Sequence, residues 1–130
     1  MQTEINEVEI NGTKYVRKDS IKSTSNEVDT DGLQAVLIRS YAAGVHFGYI
    51  KSKEDTLSGR VVTLVNTRRV WCWYGAASLS QLALEGTKDP KQCKFSVTLP
   101  SNEITNVIEI IPLNSESFKN LNSVPVWMNK

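Results

Sequence analysis

At 130 residues, 40% hydrophobic and 22% charged, the chain has the length of one domain with a single modest core and the composition of an ordinary soluble globular protein. A formal net charge of +1 leaves no field strong enough to hold a nucleic-acid duplex non-specifically. No apolar run reaches the length of a membrane span, and the opening MQTEINEVEING is too acidic and polar for a secretion signal. Cys72 and Cys93 are far apart with no CxxC pair, so a reduced, cytoplasmic chain without membrane contact is expected.

One domain over residues 1–130 is expected: an N-terminal hairpin at 1–17, a loop at 18–32, a core sheet with a helix at 33–112, and a short helix with an extended tail at 113–130. Asn11-Gly12 between Val8–Ile10 and Thr13–Arg17 predicts the hairpin, because Asn-Gly accepts the positive φ of a type I′ turn. Lys18 to Gly32, rich in Ser, Thr, Asp and Asn, reads as a loop. Leu33 to Tyr41 is an apolar, β-branched run suited to a central strand covered on both faces. Ala42-Ala43-Gly44 supplies a bend, after which Val45, Phe47 and Tyr49 alternate at strand spacing. Lys51 to Gly59 reads as a charged turn region and Arg60 to Val65 as a strand. Asn66-Thr67 reads as a tight turn into a further strand, Arg68 to Tyr74.

Gly75 ends that strand. Ser78-Leu79-Ser80-Gln81 matches a capping box, with Leu79, Leu82 and Ala83 on one helical face and Gly86 at the end. Phe95–Leu99 and Ile104–Ile111 read as strands around a Pro100-Ser101-Asn102 turn. Ser115 to Leu121 reads as a short helix, and Val124-Pro125-Val126-Trp127 as an extended tail at a sheet edge. The sum is an α+β fold, a mostly antiparallel, twisted sheet with one helix packed on a face and a second short helix.

The stretch Arg68 to Gly86 holds two arginines, two of the three tryptophans and the helix start. Strand alternation puts Arg69, Trp71 and Trp73 on one face and Arg68, Val70, Cys72 and Tyr74 on the other. Indole faces stack bases, guanidinium forks match phosphate oxygens, and free amides at a helix start attract anions. Arg68, Arg69, Trp71, Trp73, Ser78 and Gln81 are therefore candidate ligand-binding residues, joined by Arg39 and His46 from neighbouring strands. The plainer alternative packs both indoles under the helix, pairs Arg69 with a carboxylate and leaves Ser78 as a cap. A third places the arginine–tryptophan surface at a subunit contact.

His46 is the only histidine and has no nucleophile or carboxylate beside it in the sequence. One histidine with two scattered cysteines is poor material for a metal site. Phosphate-loop glycine spacing and a nucleophile elbow are both missing from the sequence. No catalytic residue, metal or cofactor is expected, and an enzyme acting on a nucleotide is the least supported class.

Arg68 to Ala83, carrying W-x-W-x-G-A-A-S-L-S-Q-L-A, together with Cys93 to Phe95, resembles a family of small uncharacterised proteins of bacteriophages and prophages. Tyr15–Ser20, Arg39–His46, Val107–Ile111 and Val124–Trp127 share the resemblance, which spans most of the chain. It implies an accessory role in the host cytoplasm: inhibiting a host protein, trapping a nucleotide signal of host defence, or decorating the virion. The leading expectation is a non-catalytic protein that sequesters a small anionic, nucleotide-type ligand as a homo-oligomer. The alternative is a protein–protein interaction module, either a host-protein inhibitor or a virion component.

Overall fold

Alternating hydrophobic residues build a sheet that folds over on itself. The computed structural model describes residues 7–8, 14–15 and 25–128. β1 (Glu7–Val8) pairs antiparallel with β2 (Lys14–Tyr15), Glu7 opposite Tyr15, as a hairpin requires; the Asn11-Gly12 turn lies outside the described residues. The main sheet comprises β3 (Ala35–Ser40), β4 (Gly44–Thr56), β5 (Gly59–Cys72), β6 (Lys94–Phe95), β7 (Leu99–Ile104) and β8 (Val107–Pro112). Its order is β6-β5-β4-β3-β8, with β7 also paired to β5, and every pairing is antiparallel. Two helices, α1 (Leu79–Glu85) and α2 (Ser115–Asn122), complete an α+β fold.

β3 is buried on both faces, as its apolar run predicted. Ala35 and Leu37 join Phe47, Tyr49, Val70, Phe95 and Leu113 under α1 and α2, which contribute Leu82, Ala83, Phe118 and Leu121. Val36 and Ile38 point the other way, into a second cluster with Val62, Leu64, Ile104 and Val107. That second core exists because the sheet rolls up. β7 and β8 are joined only by Thr105-Asn106, yet they hydrogen-bond to strands on opposite sides of the sheet. The rolled corner is tied by Asn106, whose carbonyl accepts from Tyr41 N at 3.0 Å and whose side chain would meet any Cβ at Gly59.

Two β-bulges between β4 and β5 correct the sequence reading. Lys51 to Thr56 is not a turn region; β4 runs through it, and only Leu57-Ser58 turn before β5. The charged residues sit here because this half of β4 is exposed on both faces. One bulge falls between Ile50 and Ser52, which oppose the consecutive residues Leu64 and Thr63. The other makes β5 continuous where a turn was expected at Asn66-Thr67. Tyr49 opposes Val65 and Phe47 opposes Arg68, so β5 holds one extra residue. Asn66 takes the left-handed conformation at φ 49°, which asparagine tolerates. Thr67 fills the bulge and donates to Phe47 O at 2.8 Å. Gly48 opposite is the only residue type that fits, since a Cβ there would lie 2.8 Å from Thr67 Cβ.

The second strand boundary also moves. Pro100-Ser101-Asn102 is part of β7 rather than a turn. Proline is tolerated because β7 pairs only with β5 among the described residues, leaving its other edge without a ladder. The turn falls instead at Thr105-Asn106, where Asn106 has φ 57°.

Both helices carry a side-chain N-cap, the first at the Ser78 its sequence predicted. Ser78 Oγ accepts from Gln81 N at 3.1 Å, and Asn114 Oδ1 accepts from Ser117 N at 2.7 Å. Gln81 Oε1 accepts from Ala77 N at 2.8 Å, one residue earlier than a capping box predicts. Asn120 of α2 locks onto the end of α1, accepting from Thr87 N at 2.7 Å and donating to Thr87 O at 2.9 Å. The tail also lies at a sheet edge, where Val126 bridges Phe95 and Trp127 N donates to Phe95 O at 2.9 Å.

Candidate functional site

The bulge at Asn66-Thr67 decides where the two arginines point. Phe47 faces the helices, so its partner Arg68 is carried to the same face; His46 faces the roll, so Arg69 follows it. Arg68 is buried, 2% exposed, and stacks its guanidinium 5.4 Å from the Phe95 ring centroid. It donates to Ser96 O at 2.8 Å, and more loosely to Asn122 O at 3.3 Å and to Leu121 O and Pro125 O at 3.5 Å. Burial pushes its pKa below the ordinary guanidinium value. With its donors turned on backbone carbonyls, Arg68 ties the C-terminal end of α2 and the tail to β5.

Arg69 is exposed. Its Nη2 donates to Ala43 O at 2.9 Å, the same carbonyl that His46 Nε2 reaches at 2.9 Å. Neither arginine has a carboxylate partner among the described residues, whereas Arg39 pairs with Glu109 at 3.0 Å and Arg60 with Asp55 at 2.6 Å. His46 is 2% exposed, and its pKa is lowered by burial, with the Arg69 charge pushing the same way and the Ala43 contact opposing. His46, Arg68 and Arg69 line one pocket of about 270 Å³ with Thr67, Ser96, Leu99 and Asn102. The sequence reading missed Ser96, which lies in the link between β6 and β7 where a strand over Phe95–Leu99 was expected, and Asn102, which lies on β7 where a turn was expected.

The tryptophans lie elsewhere. A register shift after Val70, which opposes Phe95 while Cys72 opposes Lys94, breaks the alternation expected of this strand. Trp71 stays outside and Trp73 turns to pack against the helix-side core, its Nε1 donating to Ala76 O at 3.3 Å. They therefore do not share a face with each other. Trp71 is stacked on Trp127, ring centroids 6.2 Å apart and planes 20° apart, with Lys94 Nζ 5.3 Å from the Trp127 centroid. Trp71 is 63% exposed and Trp127 50%. Ser78 and Gln81 spend their side chains on local capping in a helix of seven residues. Arg39, held by Glu109, is outside the pocket lining.

Cys72 is half-buried and Cys93 buried, both as free thiols. No group of three or more His, Cys, Asp or Glu converges among the described residues. No described helix is long and apolar enough to cross a membrane.

A family model described as a domain of unknown function (DUF6948) matches residues 33–121. The chain belongs to the DUF6948 family. The DUF6948 match takes in the pocket residues, Trp71 and both cores except Val124, and stops before Trp127. No curated protein and no solved structure matches the chain.

Proposed function

We propose that this DUF6948 protein is a protein-interaction module whose contact surface is centred on the Trp71–Trp127 stack. The observation that carries this reading is the exposure of two large indoles, 63% and 50%, held face to face at the sheet edge. Tryptophan left in water forgoes a large hydrophobic gain, and it is the residue type most enriched in interface hot spots. Val97, beside β6, and Val126 and Met128, beside Trp127, are also exposed, extending the apolar surface.

Charge narrows the occupant. Lys94 lies over Trp127, and Arg69 occupies the outward position before Trp71, with no carboxylate paired to either among the described residues. The matching surface is an apolar protein segment flanked by carboxylates. The resemblance to phage and prophage proteins supports a host or virion protein as its source. Nucleotide sequestration, the other reading, calls for an indole beside a free guanidinium. Here Trp71 is stacked on Trp127 and Trp73 packs on the core, so that reading has less support.

A benzophenone cross-linker placed at Val97 or Met128 tests the proposal in cells. The expected result is one heterologous adduct, mapping to an acidic–apolar segment and lost in the Trp71→Ser/Trp127→Ser variant. Adducts only to a second copy of this chain, or adducts indifferent to the double substitution, would overturn it.

A further inference from the structure

The interior of the roll is apolar along Val36, Ile38, Val62, Leu64 and Ile104, but turns polar at one end. His46 opposes Ile38 and Asn102 opposes Leu64, so register directs both toward that interior. Together with Arg69 they form the polar wall of the pocket of about 270 Å³, and Leu99 supplies an apolar side.

The donors in this pocket are unequally committed. Thr67 Oγ1 is held by Phe47 O at 2.8 Å, and Ser96 Oγ accepts from Arg69 N at 2.8 Å while donating to Val97 O at 2.9 Å. Arg68 is spent on carbonyls. Among the described residues Arg69 donates only through Nη2, so Nε and Nη1 have no partner there, and neither does the Asn102 side-chain amide. The Arg69 guanidinium thus borders a pocket that no carboxylate lines. A cavity polarised this way attracts negative charge, and the uncommitted N–H groups of Arg69 can donate charge-assisted hydrogen bonds to an oxyanion there.

We infer that this pocket is a binding site for a small phosphate-type oxyanion, free or as a phosphomonoester, held by the Arg69 guanidinium and the Asn102 amide. His46 shapes the site by sharing the Ala43 carbonyl with Arg69, which fixes where the guanidinium stands. The volume lies just below the range that takes drug-sized ligands, and no aromatic ring other than His46 lines the site. Recognition therefore rests on the oxyanion rather than on a stacked base. The inference needs neither indole of the Trp71–Trp127 surface, although Arg69 stands beside both that surface and the pocket.

Titration of the protein with inorganic phosphate, AMP and adenosine, followed by NMR of the Arg69 Nε–H and Asn102 side-chain amide signals, tests it. Phosphate and AMP are expected to give saturable shifts at those two groups, and adenosine none. Arg69→Gln should weaken binding at least tenfold. Because Arg69 also holds Ala43, Asn102→Asp provides the second arm: it breaks no side-chain hydrogen bond among the described residues, sets a carboxylate beside Arg69, and should weaken binding at least tenfold with the fold intact. Absence of saturable shifts, shifts that survive both substitutions, binding of AMP with phosphate silent, or adenosine binding as well as AMP would each overturn the assignment.

Discussion

Substituting Gly48 by alanine would probe the bulge that sends Arg68 inward and Arg69 outward. A Cβ at residue 48 would lie 2.8 Å from Thr67 Cβ, 2.9 Å from Thr67 Cα and 3.1 Å from Thr67 Oγ1. Two of these atoms cannot swing aside as a long side chain would, since one is backbone and the other is fixed to it. Relief requires the bulge itself to move, straining Asn66 at φ 49° and the Thr67–Phe47 hydrogen bond. Overpacking of this kind costs about 1–3 kcal/mol, and the backbone contact puts Gly48→Ala near the upper end, about 3 kcal/mol. That is a large fraction of the roughly 5–15 kcal/mol that holds a domain together. Urea unfolding followed by far-ultraviolet circular dichroism reads this as a lower midpoint at unchanged slope. Adding Thr67→Ala should give no rescue, because both nearest atoms remain and the hydrogen bond is lost as well. A Gly48→Ala midpoint within error of the parent, or full rescue by Thr67→Ala, would show that the two strands do not approach as described.

The two arginines should then separate in stability measurements. Arg68→Met removes the donors that satisfy buried carbonyls and should cost about 2–4 kcal/mol by chemical denaturation, whereas exposed Arg69→Gln should cost about 1 kcal/mol or less. Equal losses would contradict the opposed placement. Ser78→Ala deletes the cap on Gln81 N and should lower stability by about 1 kcal/mol, with Ser78→Asp largely restoring it in the same thermal melts. His46 gives a pH signature. Its folded pKa lies below the 6.5 of the unfolded chain, so the unfolded state binds the proton more readily. Its contribution to stability is therefore intact above pH 6.5 and declines as pH falls below that value toward the folded pKa. The drop in melting temperature from pH 7.5 to pH 5 should be smaller in His46→Gln than in the parent; an identical drop would show that His46 does not carry the linkage.

Much of the architecture was legible because side-chain period and capping chemistry are local. Val45, Phe47 and Tyr49 announced β4, Ser78 announced α1, and the two-faced burial of β3 followed from its unbroken apolar run. The bulges were not legible. A left-handed asparagine reads the same whether it ends a strand or inserts one residue into it, and only the partner strand distinguishes the cases. That one residue changes which face each arginine occupies. The charged half of β4 read as a turn because a strand exposed on both faces has no hydrophobic alternation to show. Pro100 misled for a related reason: an edge strand tolerates what a central strand forbids. At the site, neighbouring strands made the His46–Arg69 juxtaposition foreseeable. Asn102 was hidden by the misread turn, and Trp127 meets Trp71 only through the tail's bridge to Phe95.

The central claim is that the Trp71–Trp127 stack serves contact with another protein rather than the fold. Thermal unfolding and partner cross-linking measured on the same Trp71→Ser/Trp127→Ser protein test it together. An exposed aromatic pair contributes about 1 kcal/mol to the fold, so the variant should melt within a few degrees of the parent while its heterologous adduct disappears. A variant that unfolds at room temperature, or one that melts normally and still forms the adduct, would contradict the account.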